Sequence, residues 1–135
     1  MRVLITGGYG CIGSWITKQL LERGHDVWIY DLKEDWRRMD LILQPDQLEQ
    51  VRFVEGDVTN LECVVAGLRE NRITHLFHMA GLQVPTCRAN PVLGASVNVI
   101  GTLCMFEAMR QLGGQIERLV YASSAAVYGP PDNYP

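Results

Sequence analysis

Five short apolar runs recur along 135 residues, each separated from the next by a longer stretch of helical spacing, and this alternation constrains the fold more than any other feature. The runs are RVLIT (Arg2–Thr6), DVWIY (Asp26–Tyr30), VRFVE (Val51–Glu55), THLFHMA (Thr74–Ala80) and ERLVYAS (Glu117–Ser123). Most are continuous rather than alternating, which suits strands covered on both faces. After the first run, CIGSWITKQLLERG sets Ile12, Ile16 and Leu20 four residues apart and meets Gly24, a natural helix stop. EDWRRMDLILQPDQLEQ reads as a helix interrupted by Pro45, and NLECVVAGLREN as a helix capped by Asn60. NPVLGASVNVIGTLCMFEAMRQLGG reads as one long helix, opened by Pro91 and closed by Gly113, with Val92, Ala95, Val99 and Leu103 as its apolar stripe.

Strands and helices in strict alternation call for a parallel sheet with helices on both faces. Right-handed crossovers then give an α/β, Rossmann-type doubly wound sheet of five strands in the order 3-2-1-4-5, with a flavodoxin-like order as the alternative. The length fits one domain, residues 1–135. Hydrophobic residues at 47% and charged residues at 20% leave enough apolar material for a core. The net charge of −3 offers no electrostatic case for nucleic acid or an acidic membrane surface. No apolar stretch reads as long enough to span a bilayer, so no membrane is expected. Cys11, Cys63, Cys87 and Cys104 are widely spaced, without C-x-x-C pairing. They read as reduced, mostly buried thiols of a cytoplasmic protein, with no metal role.

In such a sheet ligands lie beyond the carboxyl ends of the strands. The first strand is followed by TGGYGCIG, which fits G-x-G-x-x-G through Gly8, Gly10 and Gly13 and G-x-x-G-x-x-G through Gly7, Gly10 and Gly13. Such a loop turns tightly and lets backbone approach a pyrophosphate, while the N–H groups of Cys11 and Ile12 open a helix whose positive end faces it. The second strand ends at Asp31, about twenty residues past the loop, where a carboxylate accepts the adenosine ribose hydroxyls and repels a 2′-phosphate. NAD is therefore expected over NADP, although Lys33, Arg37 and Arg38 follow closely. Asp57 and Val58 follow the third strand, Ala80 and Gly81 close the fourth, and Ser123 and Ser124 lie at the fifth. Asp57 is placed to accept from the adenine amino group. His25, His75 and His78 share no metal spacing, and His78 reads as a packed strand residue.

These segments, with HDVWIYD, VEGDVTN, HMAGLQ, NVIGTLCMFEAMR and LVYASSAAVYG, resemble the extended short-chain dehydrogenase/reductase family, the NAD-dependent epimerase/dehydratase group. The resemblance spans all 135 residues, and within the group it is strongest to UDP-glucose 4-epimerases. Two positions depart from those epimerases: Leu32 stands after Asp31 where they commonly carry Asn, and Gln83 where they often carry a cofactor-contacting lysine. The resemblance implies that Gly7, Gly10, Cys11 and Ile12 contact the pyrophosphate, Asp31 the ribose, and Asp57 with Val58 the adenine. Ala80, Gly81 and Gln83 would line the nicotinamide side, with Ser123 near it and Asn98 approaching from the long helix. Ser124 matches the catalytic Ser/Thr, which hydrogen-bonds the reacting hydroxyl or carbonyl of a nucleotide-sugar substrate.

The family's general acid/base is a tyrosine in Tyr-x-x-x-Lys, one helix face carrying both side chains. The 135 residues hold no such pair: Tyr128 is followed four positions on by Asp132, and Tyr121 by Ala125. The resemblance thus reads as an N-terminal part, truncated after strand five. It is expected to bind NAD without turnover and to self-associate into a homo-oligomer through the apolar edge LVYA. A non-catalytic dinucleotide-binding sensor and an NADP-dependent reductase of the same family are the alternatives.

Overall fold

A computed structural model describes residues 1–129; the last six residues of the expected domain lie outside the described residues. Strand β1 (Arg2–Thr6) leads through the glycine loop into helix α1 (Cys11–Glu22), then β2 (Asp26–Asp31). A short helix α2 (Pro45–Leu48) precedes β3 (Val51–Glu55), and α3 (Leu61–Glu70) precedes β4 (His75–His78). Helices α4 (Val84–Ala89), α5 (Pro91–Ala95) and α6 (Gly101–Gln111) lead to β5 (Arg118–Tyr121). The sheet is parallel throughout, in the expected order β3-β2-β1-β4-β5.

Side-chain alternation along the strands divides the core in two. Leu4, Trp28, Tyr30 and Leu76 point to the face covered by α3 and α6, where they meet Val64, Leu68, Met105 and Ala108. Val3, Ile5, Val27 and Ile29 point to the other face and pack on Leu20, Leu21 and Met39. The central strands β1 and β2 are buried nearly end to end, and β3 and β5, at the sheet edges, are partly open. The helix punctuation follows the sequence. Asn60 accepts from the Cys63 N–H as an N-cap, and Gly24 takes φ +72 just past α1.

Several expectations are corrected. The stretch after β2 is not an interrupted helix: it holds a 3-10 turn at Met39–Leu41 and then α2, begun by Pro45 and a Gln44–Gln47 capping box. Asp35 grips the Arg37 guanidinium at 2.6 and 2.7 Å, a local pairing that favours a turn. Strands β4 and β5 end sooner than read, at His78 and Tyr121, so Ala80, Ser123 and Ser124 lie beyond the sheet. The long helix is divided by a π-helical turn at Ser96–Ile100.

That helix buries a different stripe from the one expected. Val92, Val99 and Leu103 are exposed, at 81, 55 and 56%, and the buried face is Gly94, Gly101, Cys104, Met105 and Ala108. Small residues let the helix lie close, and a Cβ on Gly101 would come within 2.8 Å of the Val58 side chain. The reading that no stretch can span a bilayer is also overturned. Pro91–Gln111 is 21 residues long and contains an 18-residue window with a mean hydropathy of 1.6, enough by length and composition. Its buried face packs against α3. Of the four cysteines, Cys104 is buried, Cys87 is intermediate, and Cys11 and Cys63 are exposed, so "mostly buried" does not hold.

Candidate functional site

The glycine loop is held by its own backbone. The Gly7 N–H donates to Tyr30 O at 3.1 Å, and the Gly10 N–H donates to Gly7 O at 3.0 Å. Gly7 adopts φ +65, and a Cβ there would lie 2.7 Å from the Ala80 backbone, so glycine is required twice over. At Gly13 a Cβ would meet Gly7 O and Gly8 Cα at 2.6 Å, so this glycine lets α1 close on the loop itself rather than on the sheet. The Ser14 hydroxyl donates to Gly10 O at 2.8 Å, with Gly8 O a second acceptor within reach at 3.3 Å, fastening the loop from the first turn of α1. No side chain caps that turn, and it contains no acidic residue. Its N–H groups therefore present positive partial charge toward the loop.

The other strand ends converge beside it. Asp31 closes β2, and its Oδ1 accepts from the Leu32 N–H at 2.9 Å. Burial raises its carboxyl above the usual range, opposed by the Leu32 N–H. Asp57 spends one oxygen on Thr59, accepting from both its N–H and its hydroxyl at 2.8 Å. The Asp57 carbonyl accepts from the Tyr30 hydroxyl at 3.1 Å, so a buried tyrosine on β2 sets the loop after β3. A cleft of about 330 Å³ is lined by Gly7, Gly10, Asp31, Asp57, Val58, Ala80 and Gly81, seven of the residues singled out from sequence, drawn from four strand ends.

A second, more open cleft holds Gln83, Asn98 and Ser124, and Leu82 borders both. Asn98 lies in the π-helical turn with its amide committed to the loop after β4. Its Oδ1 accepts from the Leu82 N–H at 2.7 Å, and its Nδ2 donates to Leu82 O at 2.9 Å. It thus acts here as a helix residue holding a neighbouring loop. Ser124 is exposed, and its carbonyl accepts from the Val127 N–H at 3.2 Å. Ser123 lines neither of these two clefts. The side chains of Cys11 and Ile12 lie on another groove with Trp15 and Phe77, so what they can offer the glycine loop is backbone N–H.

Sequence reading missed the apolar lining: Leu32, Met79, Leu82, Leu93 and Val97. Leu93 and Val97 sit four residues apart on the long helix, a spacing that also describes ordinary core. Ser14 was missed as well. A hydroxyl four residues after a loop glycine is its one signal.

The fold and the strand-end cleft define a Rossmann-type domain of the short-chain dehydrogenase/reductase kind. The chain belongs to the epimerase/dehydratase family: residues 4–135 match the family model described as GDP-mannose 4,6 dehydratase. It is 38% identical over 137 residues to a UDP-glucose 4-epimerase of Klebsiella pneumoniae, covering 100% of this chain and 97% of that protein. Among solved structures it resembles the Thermus thermophilus UDP-glucose 4-epimerase in complex with NAD, at TM-score 0.75 and 38% identity over 92% of this chain. It also resembles the Bifidobacterium longum UDP-glucose 4-epimerase in complex with NAD+ and UDP, at TM-score 0.80 and 29% identity over 96% of this chain. This chain spans 38% of each of those two structures.

Proposed function

We propose that these residues bind NAD, as the cofactor-holding part of a nucleotide-sugar epimerase or dehydratase. The observation that carries the reading is the convergence of Gly7, Gly10, Asp31, Asp57, Val58, Ala80 and Gly81 on one cleft. The fit is supported by a loop in which a Gly7 side chain would strike Ala80, and by an α1 N-terminus without a side-chain cap. In this reading the pyrophosphate lies on the N–H groups of Cys11 and Ile12, where helix-end charge favours an anion. Asp31 accepts the ribose hydroxyls, and Asp57 with Val58 holds the adenine. Ala80, Gly81 and Gln83 border the nicotinamide, with Ser123 beyond them. In the whole enzyme a cofactor held there would supply hydride transfer with a sugar carbon. Ser124 is proposed to hydrogen-bond the reacting sugar oxygen, from the cleft it shares with Gln83 and Asn98. The cytoplasm is the proposed compartment, where the exposed Cys11 and Cys63 thiols stay reduced. A second copy of the chain is the proposed protein partner.

No Tyr-x-x-x-Lys pair occurs in the 135 residues, so binding rather than turnover is proposed for them alone. Calorimetry with NAD and NADP tests the reading. NAD is expected to bind and NADP to bind more weakly, because Asp31 repels the added phosphate. Tighter NADP binding would overturn the assignment of Asp31, and binding of neither would overturn the site.

A further inference from the structure

A buried chain of hydrogen bonds runs behind the cleft, centred on a residue to which the reading above gives no role. His78 ends β4, is 2% exposed, and faces the α6 side of the sheet. Its register partners are Thr6 on β1 and Tyr121 on β5. His78 Nδ1 lies 2.7 Å from Thr6 Oγ1, and its Nε2 lies 3.1 Å from Thr102 Oγ1 on α6. The Tyr121 ring stacks on the imidazole, with centroids 6.1 Å apart.

The neighbours fix where the protons are. The Thr102 hydroxyl donates to the Asn98 carbonyl at 2.8 Å, so its single proton is spent and toward His78 it accepts. Nε2 therefore carries the hydrogen. Nδ1 is then a bare acceptor and takes the Thr6 hydroxyl proton, which leaves Thr6 Oγ1 to accept from the Ala80 N–H at 3.2 Å. The opposite tautomer leaves the Thr6 proton without an acceptor and sets the Nε2 lone pair against the Thr102 oxygen. A protonated imidazole orphans the Thr6 proton too. Burial acts the same way, holding the imidazole pKa down at about 4.

The chain Ala80 → Thr6 → His78 → Thr102 → Asn98 thus spans the structure around the site. Thr6 begins the glycine loop, Ala80 lines the first cleft, and Asn98 holds Leu82 where the two clefts meet. We propose that His78, as the neutral Nε2–H tautomer, is a positioning residue for the dinucleotide site. It ties the end of β1 and the loop after β4 to the π-helical turn and so sets the cleft walls relative to one another. This rests on the NAD reading above.

The test uses the 135-residue chain and two variants, His78→Phe, which keeps a ring and the stack, and Thr102→Val, which keeps the imidazole and its bond to Thr6 but removes the Nε2 partner together with that hydroxyl's bond to the Asn98 carbonyl. Nitrogen-15 spectra of the wild-type imidazole are expected to show Nε2 protonated and Nδ1 bare from pH 8 to pH 6. Calorimetric NAD affinity is expected to fall about tenfold in each folded variant, the scale of one lost positioning hydrogen bond. Urea unfolding, measured in parallel, separates positioning from stability. A lower urea midpoint with unchanged NAD affinity in both variants assigns His78 a purely structural role and overturns the proposal. An Nδ1–H tautomer also overturns it. If His78→Phe does not fold, Thr102→Val decides by the same comparison. Failure of the wild-type chain to bind NAD, with the tautomer as expected, overturns the NAD reading and the cofactor consequence together. NAD binding that the variants leave unchanged overturns this inference alone.

Discussion

At the scale of single residues, the site sets ligand binding against stability. Burial raises the Asp31 carboxyl pKa in the folded chain, so the fold favours the protonated form. The stability Asp31 contributes is therefore present below the ordinary carboxylate range and is lost as pH rises through its folded pKa. At neutral pH its charge works against the apo fold, so Asp31→Asn is expected to raise the urea midpoint at pH 7 and weaken NAD binding in calorimetry. His78 titrates in the opposite sense. Its pKa falls from 6.5 to about 4, so its contribution is present above 6.5 and is lost as pH falls toward 4. The loss is on the order of 3 kcal/mol from a shift of this size, and His78→Phe is expected to lack that slope in urea titrations across the same window. Tyr9 shows a third balance. Its ring packs edge-on to Trp36 at 5.3 Å and against Phe53, but its buried hydroxyl has no partner among the described residues. Tyr9→Phe is expected to stabilise the chain by about 1 kcal/mol, the desolvation cost of an unsatisfied hydroxyl, read as a higher urea midpoint. Asp31, Asp57 and the loop glycines were legible in the sequence because turn chemistry at a strand end is local and polar. Leu82, Leu93 and Val97 were not, because an apolar residue reads the same whether it lines a cleft or fills a core.

At the scale of elements, sequence reading found the five strands, α1 and α3, but it misread the stretch after β2 as a helix and chose the wrong buried face for the long one. The Pro91–Gln111 segment carries apolar residues on more than one side, so periodicity alone did not choose the buried stripe. Close approach chose it: Gly94 and Gly101 lie inward, and Val92, Val99 and Leu103 remain outside. The π-helical turn at Ser96–Ile100 was illegible for a similar reason, since its visible consequence is the aim of Asn98 at Leu82, 16 residues away. Gly101 tests the packing argument. Its Cβ would meet the Val58 side chain at 2.8 Å, and Val58 lines the first cleft. Gly101→Val is expected to cost about 2 kcal/mol through overpacking and to weaken NAD binding by displacing Val58, as read by urea unfolding and calorimetry. An unchanged midpoint would show that the helix moves aside freely.

At the scale of the whole molecule, strand order was legible because right-handed crossovers leave few topologies for five alternating units. The apolar β5 edge was legible for the same reason, and the exposed face of α1 was less so, because it depends on what the helix packs against rather than on its own pattern. In this sheet β5 pairs with β4 on one side, and Tyr121 is 49% exposed. On the two layers around it, Ile12 and Trp15 of α1 and Leu103 and Phe106 of α6 are also exposed. Among the described residues nothing pairs with the other edge of β5. An open strand edge flanked by apolar helix faces is a template for another strand, and a net charge of −3 supplies little repulsion between copies. Light scattering is therefore expected to show concentration-dependent association of the 135-residue chain, already visible at about tens of micromolar, where such contacts generally appear. Two substitutions separate the routes. Tyr121→Pro removes the donor next to Ala122, whose own N–H faces His78 O on β4, so the lost N–H is one that points to the open edge, whereas Phe106→Lys charges the helix face and leaves the strand intact. Loss of association in the first alone assigns it to the edge, and loss in the second alone assigns it to α6. A monodisperse monomer of the unaltered chain would mean that both surfaces are stable in water as they stand, and the proposal of a second copy as partner would fail.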